Sequence, residues 1–169
     1  AGFDESGRFG LIGDVRHRGV EASLTGEPIE NMFLATGIMA LEPELSGQVV
    51  TTGRLSSRPV GVQKVAAQVS ADYSLQSMPG MSLDAQVNYA GDRLASFDGT
   101  LRTPARTTVN LGARYRFTIK GFPAALRMRI QNATGVHDWF AEPSGLLSRE
   151  QARTYMLSLA MTSVRKTGS

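Results

Sequence analysis

The sequence predicts an all-β fold, an antiparallel meander of about seven long strands. Three observations carry that expectation. Apolar and polar residues alternate with period two along much of the chain, and helical periodicity is hard to find anywhere. The best alternating segments run nine to eleven residues, against a mean of about 5–6 for strands of soluble domains. The connections between them alternate short and long, near 26–31, 42–57, 76–80, 90–104, 118–123 and 133–152.

Each element follows from its own pattern. The first strand is expected over Leu11–Thr25, clearest where Val20, Ala22 and Leu24 oppose Glu21, Ser23 and Thr25. Gly26-Glu27-Pro28 is expected to stop it. The second covers Met32–Leu41, largely apolar on both parities. In the third, Val65, Ala67, Val69, Ala71, Tyr73 and Leu75 oppose Lys64, Ala66, Gln68, Ser70, Asp72 and Ser74. Gln76-Ser77-Met78-Pro79-Gly80 supplies a turn, and Met81, Leu83, Ala85, Val87 and Tyr89 then oppose Ser82, Asp84, Gln86 and Asn88 in the fourth. The fifth sets Thr107, Val109, Leu111, Ala113, Tyr115 and Phe117 against Thr108, Asn110, Gly112, Arg114 and Arg116. The sixth sets Ala124, Leu126, Met128 and Ile130 against Ala125, Arg127, Arg129 and Gln131. The seventh sets Tyr155, Leu157, Leu159 and Met161 against Thr154, Met156, Ser158, Ala160 and Thr162.

Composition narrows the function classes. A length of 169 residues suits one domain, and no linker divides it. The net charge of +3 comes with 15 arginines and three lysines spread along the chain, which makes no case for a nucleic-acid partner. No cysteine is present, which removes disulfides, thiol catalysis and cysteine-held metals. The longest apolar stretch, Met32–Leu41, is too short for a membrane-spanning helix. Ala1-Gly2-Phe3-Asp4-Glu5 has no signal-peptide character.

Alternation alone leaves open whether the apolar face meets a protein core or lipid. Other features weigh towards lipid. A tilted membrane strand needs about 9–11 residues. Alternating tight turns and long loops place all the turns at one end, as in outer-membrane barrels. Tyr73, Tyr89, Tyr115, Phe117 and Tyr155 stand at the ends of the apolar stripes, where an amphipathic ring suits an interface. On the polar face, Arg114, Arg116, Arg127 and Arg129 fall on two strands joined by a short turn. They require acids or water to meet them.

The chain resembles the carboxy-terminal part of a TonB-dependent outer-membrane receptor of the siderophore type. Three places carry the resemblance. Arg18-Gly19-Val20-Glu21-Ala22-Ser23-Leu24-Thr25-Gly26 is similar to a strand that descends to a periplasmic turn. Gly53 through Leu75, with Arg58-Pro59-Val60-Gly61-Val62 and Asp72-Tyr73-Ser74-Leu75, resembles a segment leaving a long extracellular loop. Thr107 to Tyr115, Ile130-Gln131-Asn132-Ala133-Thr134 and Tyr155-Met156-Leu157-Ser158-Leu159 resemble the family's final three strands. The resemblance implies a transmembrane barrel of about 22 strands around an amino-terminal plug, in the outer membrane of a Gram-negative bacterium. It implies import of ferric siderophores or a similar scarce nutrient, energised by TonB through the plug. Nothing in 1–169 matches the plug, so residues 1–164 are expected to be a carboxy-terminal barrel portion that begins in an extracellular loop. Residues 165–169 are expected to be a tail, and the family's usual terminal aromatic is missing near Ser163-Val164.

Site expectations follow. Arg54, Arg58, Arg93, Arg102 and Arg106 lie in or beside the long loops, where they would attract anionic ferric siderophores. His137 and Trp139 lie in a loop whose aromatics could stack on a ligand. Arg114, Arg116, Arg127 and Arg129, with Gln68, Asp72, Asp84 and Asn88, are expected to face the lumen. His17 and His137 lack metal-ligand spacing, and no cofactor is expected. Asp92, Asp98 and Glu142-Pro143 form no paired-carboxylate site, and no nucleophile triad surfaces, so an enzyme is not expected. Asn132-Ala133-Thr134 reads as a chance glycosylation motif. Two alternatives stand beside transport. One is a soluble antiparallel barrel or sandwich that binds a small ligand. The other is a small complete barrel with residues 1–10 as an eighth strand.

Overall fold

The structure is a computed structural model that describes residues 2–3 and 6–162. Seven long strands form one antiparallel sheet in which neighbours in sequence are neighbours in space. They are β1 (Asp14–Ile29), β2 (Met32–Ser46), β3 (Val65–Ser74), β4 (Met81–Ala90), β5 (Arg106–Ile119), β6 (Phe122–Gln131) and β7 (Thr154–Met161). Gly2–Phe3 pairs with Phe9–Gly10 in a ribbon of its own, so the amino-terminal segment adds no eighth strand to the sheet. The expected tail, 165–169, and the Ser163-Val164 terminus lie outside the described residues.

Tight turns gather at one end. Glu30-Asn31 closes β1 onto β2, with Ile29 opposite Met32 and Asn31 at φ 63°. Lys120-Gly121 closes β5 onto β6 with both residues at positive φ (49° and 84°), as a two-residue hairpin of matching twist demands. The first strand differs from its sequence pattern. It runs on through Pro28 to Ile29, with a register irregularity between Gly26 and Ile29. Pro28 falls within that irregularity, where the regular ladder is already interrupted and a missing N–H costs no bond to β2. β2 likewise continues past Leu41 to Ser46, and a helical turn, Gln48–Thr51, follows it.

Register converts the alternating pattern into two continuous faces. One row reads Leu24, Thr36, Val69, Val87 and Val109; the next reads Leu34, Ala71, Ala85, Leu111, Ile130 and Tyr155. The opposite face carries Ser23, Gly37, Gln68, Asn88 and Thr108, then Thr25, Ala35, Ser70, Gln86 and Asn110. The aromatics close the apolar stripes: Tyr115 and Phe117 stack with centroids 5.5 Å apart.

Exposure is inverted relative to a soluble sheet. Along β4 the apolar Leu83, Val87 and Tyr89 are exposed, whereas Ser82 is buried and Asp84, Gln86 and Asn88 are half-buried. Leu83 is 44 % exposed and Ser82 only 5 %. The sheet therefore has no core of its own. The buried apolar side chains are Val49, Val60, Leu94 and Ala141 in the long connections, plus Ala124. The core of the described residues sits at the loop end, where three long connections pack together.

Candidate functional site

The loop end is built by three segments, 47–64, 91–105 and 132–153, which carry four of the five arginines expected from the sequence, while Arg106 opens β5 beside them. Backbone bonds join them: Ser56 N–H donates to Phe97 O (2.7 Å), and Gly61 N–H donates to Leu94 O (3.0 Å). Gly61 sits at φ 73°, and a Cβ there would drive into the backbone of Glu142 and Pro143. Only glycine permits both that conformation and that approach.

Two charged clusters lock the segments. Arg58 and Arg102 both donate to Asp92 Oδ2, at 3.1 and 3.0 Å, and Arg58 also donates to Asp92 O at 2.8 Å. Burial pulls the Asp92 carboxyl upward, but the two guanidiniums outweigh it and hold the carboxyl below its usual range. The second cluster is centred on Phe140. Arg106 lies over its ring at 4.2 Å and Arg93 at 5.4 Å. Arg106 Nε donates to Glu150 Oε2 at 2.7 Å, while Arg93 donates to Ala141 O at 3.2 Å and to Gln63. Burial, then the neighbouring Arg106 charge, lowers the Arg93 pKa, and Glu150 partly offsets them. Both guanidiniums keep a solvent-shielded donor with no partner, Arg93 Nε and Arg106 Nη1.

Four of the five loop arginines are thus brought together in pairs, each pair on a loop partner. Arg54 is exposed, just beyond the helical turn. His137 and Trp139 are exposed and join neither pair. The carbonyl of His137 accepts from Arg149 Nε (3.4 Å), and Trp139 pairs across a short ribbon with Arg149. Sequence reading missed Asp92, Phe140 and Glu150 as the partners, because they lie 34, 47 and 44 residues from Arg58, Arg93 and Arg106, respectively. It also passed over Asn132. That residue is buried at φ 49°, donates from Nδ2 to Val136 O and Gln151 O (2.7 Å each), and accepts the Val136 N–H at Oδ1. The tripeptide is a turn anchor, with a left-handed Asn as the usable signal.

The polar face of the sheet holds the second set. Arg114 and Arg127 are cross-strand partners, one row from Gly112 and Arg129, and one row on the other side from Arg116 and Ala125. The acids that meet them come from the neighbouring hairpin. Asp72 on β3 reaches across β4 to Arg114 (3.6 Å), and Asp84 on β4 reaches across β5 to Arg127 (3.4 Å). The second reach depends on Gly112, opposite Asp84, because any Cβ there would overlap the Asp84 carboxylate. A hollow of about 240 Å³ lies on this face, lined by Gln68, Asp72, Asp84, Gln86, Arg127 and Arg129. A larger one, about 580 Å³, runs from Ser23, Gln68 and Asn88 up to Gln63 and Arg93 beneath the loops. Among the described residues, no group of three or more His, Asp or Glu side chains is placed to hold a metal ion.

This geometry can be set beside known proteins. The family model of the TonB dependent receptor-like β-barrel matches residues 3–133. The chain is 26% identical over 155 residues to the ferrichrome receptor FcuA of Yersinia enterocolitica, covering 90% of this chain and 20% of that protein. The crystal structure of BauA, the ferric preacinetobactin receptor from Acinetobacter baumannii, superimposes with TM-score 0.79 at 32% identity. That match covers 88% of this chain and 22% of BauA. The siderophore receptor PiuA from the same species shares the fold at TM-score 0.70 and 19% identity, over 87% of this chain and 22% of PiuA. The chain spans about a fifth of the length of these relatives.

Proposed function

We propose a transport role from one premise: the chain belongs to the TonB-dependent receptor-like β-barrel family. That family is one of receptors, not enzymes. In this reading, residues 1–164 form seven wall strands and three extracellular loops of an outer-membrane barrel in a Gram-negative bacterium. The complete receptor imports a ferric siderophore or a similar scarce nutrient, energised by TonB through a plug domain.

The observation that supports it most is the inverted exposure of the sheet. Val69, Leu83, Val87 and Leu111 are exposed, whereas on the opposite face Ser82 is buried and Asp84, Gln86, Asn88 and Asn110 are half-buried. Water would penalise that apolar face, at roughly 25 cal/mol per Å², and lipid would not. The same inversion weighs against a soluble barrel or sandwich, whose apolar face would be covered. The open edges β1 and β7 fit a wall continued by further strands, since unpaired strand edges are costly in lipid. The relatives' names point to iron–siderophore cargo. Arg54, His137 and Trp139, all exposed in the long connections, would form with the other loop arginines part of a cationic mouth for it.

Uptake of radiolabelled iron as ferrichrome or ferric preacinetobactin tests the proposal in cells producing the receptor that carries this segment. Accumulation of at least one complex, abolished by a protonophore, is expected. No uptake of either, from a protein that fractionates with the soluble extract, would sink the reading.

A further inference from the structure

At the loop end β1 and β2 outrun the rest of the sheet. β3 accompanies β2 only as far as the Ala40–Val65 pair, so residues 14–19 and 41–46 continue as a two-stranded ribbon. Parity puts Val15 and His17 on the ribbon face that carries Glu21, Ser23 and Thr25 lower down. Their cross-strand partners there are Leu45 and Pro43. The face thus turns from polar to apolar as it leaves the sheet. Cap segment 53–64 ties onto this ribbon by its backbone: Leu41 N–H donates to Lys64 O at 2.7 Å, and Leu45 N–H to Ser57 O at 2.6 Å.

The ribbon and the cap do not close on each other. A cavity of about 300 Å³ lies between them, walled by Val15 and Leu45 of the ribbon and by Leu55, Val60 and Phe97 of the cap. That volume is at the lower end of small-molecule sites, about 300–1,000 Å³. The cavity shares no lining residue with the two hollows of the polar face. Two of its apolar walls remain open to water, Val15 at 57 % and Phe97 at 55 % exposure.

Its polar groups select the ligand. Arg58 lines the cavity, and no carboxylate does. The two Nη atoms of Arg58 are committed to Asp92 and Val62 O, but its Nε is shielded from solvent and has no partner. A shielded donor without an acceptor is unfavourable, and a carboxylate is the natural complement of a guanidinium. The Phe97 ring and the guanidinium plane both favour a flat aromatic neighbour.

We propose that this cavity is an accessory site for a small aromatic acid, an aryl carboxylate of one or two rings. The ring lies between Val15 and Phe97, and the carboxylate accepts from Arg58 Nε. An occupant in that position touches the ribbon and the cap together and fastens 54–62 onto β1 and β2. The site stands apart from the cargo reading, because its contacts are the same whatever the barrel carries.

The test uses the full chain in bilayer nanodiscs of zwitterionic lipid, with empty discs as the blank, and titrates 2-naphthoate by calorimetry. It is expected to bind at least tenfold more tightly than acetate, which lacks the ring, and about fivefold more tightly than 2-naphthalenemethanol, which lacks the charge. Val15→Trp, on the exposed ribbon, fills the cavity and should weaken binding at least tenfold. Arg58→Gln should abolish the preference for the acid over the alcohol. Asp92→Asn disturbs the same charged cluster but leaves the guanidinium, and should keep that preference. Saturating naphthoate should slow hydrogen exchange in 54–62 and leave 81–90 unchanged. Naphthoate no tighter than acetate, an alcohol bound as well as the acid, or indifference to Val15→Trp would overturn the proposal. Loss of the acid preference in Asp92→Asn as fully as in Arg58→Gln would also overturn it, since Arg58 would then act only by holding the cap.

Discussion

The sheet and the loop cap of this chain are stabilised by opposite means. The sheet is held by register: seven strands in sequential order, with apolar rows on one face, polar rows on the other, and the apolar residues the more exposed along β4. The cap is held by contacts between distant segments: Ser56 on Phe97 and Gly61 on Leu94 by backbone bonds, Arg58 and Arg102 on Asp92, and Arg93 and Arg106 on Phe140, with Val49, Val60, Leu94 and Ala141 each buried. A substitution in the sheet is therefore judged by which solvent its face meets. In the cap it is judged by which partner it abandons.

The largest contrast comes from adjacent residues of β5. Leu111→Arg places a charge in the middle of the apolar face and should destabilise the membrane-inserted protein by about 2–4 kcal/mol. Asn110→Arg, one residue away on the polar face, should cost less than about 1 kcal/mol. Urea titration in lipid vesicles, followed by circular dichroism, reads both. Equal costs would remove the distinction between the faces.

In the cap, Gly61→Val combines a positive φ with the overlap against Glu142 and Pro143. It should cost about 2–3 kcal/mol locally and undock segment 139–149 while leaving the sheet intact. Hydrogen exchange should then quicken in 54–62 and 139–149 but not in 81–90. Phe140→Ala removes the surface shared by two guanidiniums and should cost about 2 kcal/mol by the same measurement. Slower or unchanged exchange around Arg93 and Arg106 would contradict the assigned geometry.

Acid should loosen the cap through Asp92. Its carboxyl is held below the usual aspartate value of 3.8 in the folded chain. The stability it contributes is complete above that value, and is lost as pH falls through 3.8 and then through the lower folded pKa. Exchange in 91–105 should rise over that window, and Asp92→Asn should flatten the response. The smallest effect belongs to Lys64→Ala. Its 3.4 Å pair with Glu42 is well exposed, so a change of less than about 0.5 kcal/mol is expected.

The two regions also differ in how far they can be read from the chain alone. Period-two alternation placed β3 and β4 to within a residue of Val65–Ser74 and Met81–Ala90, because every residue on a strand reports its face locally. It failed at Pro28, where the register irregularity between Gly26 and Ile29 accommodates a residue that a regular ladder would reject. That Arg114, Arg116, Arg127 and Arg129 share one face was legible by parity, and the acids that meet two of them came from the hairpin whose alternation was clearest. The cap was not legible. Arg58, Arg93, Arg102 and Arg106 stood out only as cations near loops. Their pairing with Asp92, Phe140 and Glu150 is set by long-range packing that no local pattern encodes. Gly112 belongs with these: a glycine inside a strand hinted at a close approach, but not that the Asp84 carboxylate makes it.

Spin labels along one strand read directly whether the apolar face of the sheet meets lipid. The chain has no cysteine, so single cysteines from 82 to 89 along β4 can each carry a spin label without background. In a lipid bilayer the account predicts alternating accessibility. Labels at 83, 85 and 87 should collide with dissolved oxygen and escape a water-soluble nickel chelate, and those at 84, 86 and 88 should do the reverse. An alternation of opposite phase, or uniform access to the chelate, would contradict it.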